Sequence, residues 1–198
     1  MTFTRSFLGA AALALAVAGP VAAQDRAVRL FARSGGFNAV TNLDNAGSAD
    51  FNKVGLNVGG GVGVQLHRFV TLRGDLTFAR NELQTNGVDT SDRLNRFLYT
   101  VGVQLQYPTA IGLEPYAFLG GGAVTLHQVG TSGQDKTRAA GTFGLGLNYT
   151  IPHSRLGLFV EGQGWVYDLS KMNGFLSAYD KRQVEIGWSV GLSYSLPL

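Results

Sequence analysis

The 198-residue sequence predicts an all-β fold, an eight-stranded antiparallel up-and-down barrel that crosses a membrane. Three observations predict it. About eight segments alternate apolar and polar residues, and no long stretch places apolar residues at helical spacing. Short connections between segments take turns with long polar ones, as in a transmembrane barrel with tight turns at one rim and loops at the other. The polar face of the cleanest segments is mostly Gly, Ser, Thr, Asn and Gln, and only 15% of the chain is charged. That face is too weakly charged for a surface in bulk water, and it suits a narrow lumen that side chains just fill.

The chain opens with a segment outside the fold. Arg5 precedes an apolar run from Phe7 to Ala18, then Gly19-Pro20 and the small-residue pattern Val21-Ala22-Ala23. This reads as a secretory signal peptide over residues 1–23, its apolar core being shorter than the roughly 20 residues a spanning helix needs. Cleavage after Ala23 leaves 175 residues, 24–198, for a single domain.

The eight segments follow in order. In the first, Val28 to about Val40, Leu30 and Ala32 oppose Arg29 and Arg33, and Gly35-Gly36 suggests a bulge. The second, Lys53 to His67, sets Val54, Leu56, Val58, Val62, Val64 and Leu66 against a face rich in glycine. In the third, Val70, Leu72, Leu76 and Phe78 alternate with Thr71, Arg73, Asp75 and Thr77. Arg80 shares the apolar parity there, and is expected at the headgroup boundary, where a charge costs about 0 to 1 kcal/mol against about 2 to 4 at mid-bilayer. The fourth sets Phe97, Tyr99, Val101, Val103, Leu105 and Tyr107 against Leu98, Thr100, Gly102, Gln104 and Gln106. The fifth places Tyr116, Phe118, Val124 and Leu126 on its apolar face. In the sixth, Phe143, Leu145, Leu147, Tyr149 and Ile151 oppose Arg138, Thr142, Gly144, Gly146 and Asn148. The seventh sets Leu158, Val160 and Val166 against Phe159, Glu161, Gln163 and Trp165. The eighth sets Val184, Ile186, Trp188, Val190, Leu192, Tyr194 and Leu196 against Gln183, Glu185, Gly187, Ser189, Gly191 and Ser193.

Connections are short around His67-Phe69, Pro108-Leu113 and Pro152-Arg155, and long over Thr41–Asn52, Asn81–Asn95, His127–Lys136 and Leu169–Lys181. The apolar parity is expected to face lipid. Tyr107, Tyr116, Tyr149, Trp188 and Tyr194 then form an aromatic girdle, several of them near the short-turn rim. The 28 glycines, roughly twice the usual share, relieve crowding where the wall faces its own interior.

Composition narrows the function classes. No cysteine is present, which excludes disulfides and thiolate metal sites. Without Arg5 the mature chain carries 15 basic and 13 acidic side chains, too balanced for a nucleic-acid binder.

The last segment, Ser189-Val190-Gly191-Leu192-Ser193-Tyr194-Ser195-Leu196, resembles the terminal-strand motif that the insertion machinery reads in bacterial outer-membrane barrels, with Gly191, Tyr194 and Leu196 at the motif positions. It departs from the family habit of ending on an aromatic residue, since Pro197-Leu198 follow. Together with the leader and the alternating connections, this motif makes the chain resemble the small OmpA/OmpX-like outer-membrane β-barrels over essentially its mature length. The resemblance implies a monomeric, closed barrel integral to a Gram-negative-type outer membrane, in contact with lipid and lipopolysaccharide. It implies architecture more than function.

Lumen-facing ionisable residues are expected to be Arg73, Asp75, Arg138, Glu161 and Glu185, with both signs present, forming a polar network that fills the barrel. Catalytic chemistry finds little support. His67 and His153 fall at short turns, and His127 opens a long loop beside no evident serine or acid. The clusters Gly59-Gly60-Gly61 and Gly120-Gly121-Gly122 sit inside strands and open no helix, so they make no phosphate or dinucleotide cradle. Asp44, Asp50, Asp89 and Asp92 do not follow calcium-loop spacing. The expectation is a non-enzymatic protein without cofactor or metal, with a structural or surface-interaction role carried by four long loops and a ligand of their own. The alternatives are a narrow passive channel and, less favoured, a lipid-modifying enzyme.

Overall fold

The computed structural model describes residues 27–41, 49–51, 55–85, 88–129, 135–169 and 182–197. The signal-peptide segment 1–23, Asp44 and Val54 lie outside them. The described chain forms β1 (Ala27–Ala39), β2 (Ala49–Phe51), β3 (Gly55–His67), β4 (Val70–Thr85), β5 (Val88–Gln106), β6 (Leu113–Val129), β7 (Asp135–Thr150), β8 (Leu156–Asp168) and β9 (Arg182–Pro197). Each wall strand pairs antiparallel with both neighbours, β1 meets β9, and the β4–β5 pairing completes the ring. Short β2 pairs with the outer end of β4, in line with β3, so the wall has eight strands.

The register fixes the barrel's girth. Following paired residues from Arg29 through Gly63, Arg73, Gly102, Gly120, Thr142, Trp165 and Glu185 returns to β1 at Ala39, ten residues beyond the start. With a rise of about 3.3 Å per residue and strands about 4.8 Å apart, that stagger tilts eight strands by about 40° and gives a radius of about 8 Å. Closure also leaves no backbone edge within hydrocarbon, where each unpaired donor or acceptor would cost several kcal/mol.

Faces follow the alternation in seven of the eight segments. Leu56, Val101, Leu119, Leu145, Val160, Val190 and Leu192 are exposed on the outside, while Asn57, Thr71, Thr100, Gln104, Thr142, Gln163 and Ser193 are buried within. The fifth segment is a correction. Tyr116, Phe118, Val124 and Leu126 point into the barrel and are buried, leaving Ala117, Leu119 and Gly121 outside. Tyr116 is therefore not in the outer girdle, to which Tyr107, Tyr149, Trp188 and Tyr194 contribute. In that segment bulk overrode polarity, because the large apolar side chains fill the lumen and the small ones face out.

The inward aromatics explain much of the glycine. Phe31 pairs across the ladder with Gly61, Tyr116 with Gly146, Phe118 with Gly144 and Phe159 with Gly191. In each case the ring lies where the glycine's Cβ would be. Outside, Phe143 covers Gly164 and Trp188 covers Gly36 in the same way. The bulge expected at Gly35-Gly36 does not form, since pairing to β3 and β9 runs unbroken through both residues. What these two glycines permit is close approach to the backbone and ring of Trp188.

The expected loop Asn81–Asn95 is also corrected. β4 runs to Thr85 and β5 starts at Val88, with the two paired up to the tip. Likewise β6 and β7 extend to Val129 and back to Asp135, and β2 lies within the expected first loop. Polar residues interrupt an apolar pattern, but they keep their ladder hydrogen bonds once the strands pass the bilayer. At the opposite rim the turns are tight, and Gly112 takes φ 80° in the β5–β6 turn, a left-handed conformation suited to glycine.

Two outcomes test this wall. Gly146→Val forces a side chain against the Tyr116 ring, and is expected to destabilise by about 1–3 kcal/mol in urea unfolding from lipid vesicles. Val190→Lys puts a charge near mid-wall on the lipid face, and is expected to cost about 2–4 kcal/mol by the same measurement. An unchanged midpoint for the lysine variant would reverse the assignment of faces.

Candidate functional site

Two places concentrate chemistry: the lumen, and the outer rim where the strands leave the lipid-facing band. In the lumen, Asp75 and Glu161 lie between Arg33 and Arg73. Arg73 donates through Nε and Nη2 to Asp75 at 2.9 and 2.8 Å, and through Nη1 and Nη2 to Glu161 at 2.6 and 3.1 Å. Arg33 bonds Glu161, contacts Asp75 at 3.1 Å, and donates to the Thr77 hydroxyl at 2.7 Å. The Tyr116 hydroxyl donates to Glu161 at 2.9 Å. The Arg73 guanidinium also stands 4.6 Å from the Phe31 ring centroid and 4.3 Å from that of Phe118, both within cation–π range. All four charged residues are buried.

Toward the loop rim a second pair forms. Arg96 donates to Glu185 at 2.5 Å and to Asn81, and the Tyr167 hydroxyl donates to the same Glu185 oxygen at 2.7 Å. Around this pair lies an apolar cluster that includes Phe37, Leu94, Leu98, Val124, Leu126 and Trp165. Near the turn rim Arg29 donates to Glu114 at 2.5 Å. Arg29, Arg33, Arg73 and Arg96 thus meet Glu114, Asp75, Glu161 and Glu185, four charges of each sign. In the polar part of the lumen a cavity of about 30 Å³ lies among Arg29, Thr71, Arg73, Gln104, Tyr116 and Asn148. That volume admits about one or two waters.

Of the five ionisable residues the sequence points to, Arg73, Asp75 and Glu161 come together. Glu185 belongs to the separate pair near the loop rim. Arg138 stands on the inner parity opposite Val124, half-buried. Sequence reading missed Arg33, Arg96, Arg29 and Glu114 as members. Parity was the available signal for Arg96, which is two residues before inward Leu98, but it adjoined a stretch read as loop. For Arg29 and Arg33 the signal was their opposition to Leu30 and Ala32.

The other rim residues are plain. His127, expected without an acid partner, bonds Asp135 at 2.7 Å across β6 and β7, on the outer side of the wall. Eight residues further along the chain, Asp135 reaches it through strand pairing. Ser154, next to His153, accepts from the Leu156 amide at 2.9 Å within a turn. Among the described residues no group of His, Asp and Glu is arranged to hold a metal.

Comparison with known proteins agrees with this geometry. No protein of curated function matches the sequence significantly. Among solved structures, Neisserial surface protein A superposes with a TM-score of 0.59 at 13% identity, over 88% of this chain and 99% of that one. The attachment invasion locus protein Ail of Yersinia pestis, solved with the heparin analogue sucrose octasulfate, gives 0.54 at 12% identity, over 88% and 100%. The N-terminal β-barrel domain of Pseudomonas aeruginosa OprF gives 0.51 at 15%, over 86% and 97%. These likenesses are of fold. The family model for the outer membrane protein beta-barrel domain matches residues 9–195. With that match over nearly the whole sequence and a closed eight-stranded wall that is apolar outside, the chain belongs to the outer membrane protein beta-barrel domain family, as an integral outer-membrane protein of Gram-negative bacteria.

Proposed function

We propose that this protein is a sealed, monomeric barrel that serves the envelope through its wall and its outward rim, with a structural and surface-interaction role, and does not conduct. The observation that carries the reading is the filled lumen, where four arginines meet four carboxylates beside a cavity of about 30 Å³. A hydrated ion needs a continuous wet path, and the apolar cluster around Trp165 and Leu98 interrupts one near the loop rim. A passing cation that drew a carboxylate out of its pair would also leave an arginine uncompensated at low dielectric.

Specificity toward the outside belongs to the rim and the connections above it, as it commonly does on rigid scaffolds. The last strand, with Tyr194 and Leu196 facing lipid and Gly191 beneath the Phe159 ring, supplies the segment that engages the insertion machinery. A lipid-modifying reading finds no support among the described residues, where His127 bonds Asp135 and no serine is bonded to either.

Purified protein in planar bilayers is expected to give no resolved current steps above background, and a steady unitary conductance would overturn the sealed reading. Glu161→Ala strands Arg33 and Arg73, and is expected to lower unfolding stability by about 3–5 kcal/mol. If the pairs also seal the lumen, the same variant should raise ion leakage from vesicles.

A further inference from the structure

We infer that the outer face of β4–β7, where these strands leave the lipid-facing band, is a docking site for a phosphorylated lipid of the outer leaflet, with Arg80 as the principal ligand of its phosphate. This deepens the rim role proposed above and rests on the wall facing lipid, not on whether the lumen conducts.

Arg80 pairs across the ladder with Asn95, Asn95 with His127, and His127 with Asp135. All four side chains share the outward parity, so strand pairing gathers residues from four strands into one polar row. Immediately below it the wall turns aromatic. Phe78 pairs with Phe97, their centroids 5.0 Å apart, and Tyr99 follows one step down. The Tyr99 hydroxyl reaches up to Thr125, which bonds Thr137 at 2.9 Å. A headgroup in the row would place its acyl chains along Phe78, Phe97 and Leu76, all on the outer face.

Height agrees with this. Each residue of a strand tilted by about 40° climbs about 2.5 Å, and Arg80 is ten residues beyond Val70 at the turn rim. It therefore stands about 25 Å up, the height of the apolar band of such barrels.

The row is electrostatically open at one end. His127 has its acid in Asp135. Arg80 is exposed, and it meets no carboxylate among the residues whose side chains are described. The side-chain oxygen of Asn95 beside it is buried without a hydrogen-bond partner. A guanidinium takes phosphate through a planar fork. The Arg68 and Arg155 side chains at the turn rim lie on the far side of the bilayer from this row.

The test uses the folded barrel in phosphatidylcholine nanodiscs, with diphosphorylated lipid A as probe, the same lipid after dephosphorylation as control, and native mass spectrometry as readout. The expected result is retention of the phosphorylated lipid, roughly tenfold weaker in Arg80→Gln, largely restored in Arg80→Lys, and unchanged in Arg155→Gln. Heat-modifiable gel migration establishes that each variant is folded. Should Arg80→Gln fail to fold, Arg80→Met against Arg80→Lys gives the same comparison. Equal retention of the dephosphorylated lipid, an equal loss in Arg155→Gln, or full competition by excess inorganic phosphate would each overturn the inference, the last by showing a free-anion site. Conductance measured on the same preparations reports separately on the sealed lumen.

Discussion

The constraint on which the structure depends is the radius of the closed wall. Eight strands staggered by ten residues enclose a space about 8 Å in radius to the backbone, and every second side chain must fit inside it. The largest rings there need a small residue on a neighbouring strand. The chain resolves this by setting an aromatic ring against a glycine, as with Phe118 over Gly144 and Phe159 over Gly191. Glycine elsewhere weakens a strand. In this wall it makes room for the rings that hold the interior together.

Burial of seven charges, with Arg29 half-buried beside them, follows from the same tightness. An arginine in so narrow a space loses most of its water, and it is stable there only with partners that satisfy both charge and geometry. Arg73 has both, with carboxylates along its edge and rings over its faces. The pairs are arranged in tiers from Glu114 at the turn rim to Glu185 near the loops, so each of these charges is matched at its own level. Between the tiers the interior changes character, from hydrogen-bonded amides around Gln104 to an apolar cluster around Trp165.

How much of this was legible depended on what each residue signalled. Val, Leu and Ile on one parity marked the lipid face wherever the opposite parity was small and polar, as in β3 and β9. Leu113–Val129 defeated that reading because both parities are apolar, and size, which polarity patterns do not weigh, decided the direction. Tyr116 could have been placed inside by noticing Gly146, but the pairing register that joins them is a three-dimensional fact. The same holds for His127 and Asp135, and for Arg33 with Glu161, which are 128 residues apart. Strand ends were misjudged because loss of apolar alternation marks the exit from the bilayer and not the end of hydrogen bonding. The rim row of Arg80, Asn95, His127 and Asp135 was invisible for a related reason, since only Arg80 departs from its strand's pattern.

The paired tip of β4 and β5 has a further consequence. Thr85 lies five residues past Arg80, so the two strands continue about 12 Å above the rim as a laddered ribbon. A partner meeting that ribbon encounters backbone whose shape is already set, so contact there carries a smaller ordering penalty than capture by an unstructured connection. The paired ribbon thereby presents, at this end of the barrel, a backbone already ordered by its ladder hydrogen bonds.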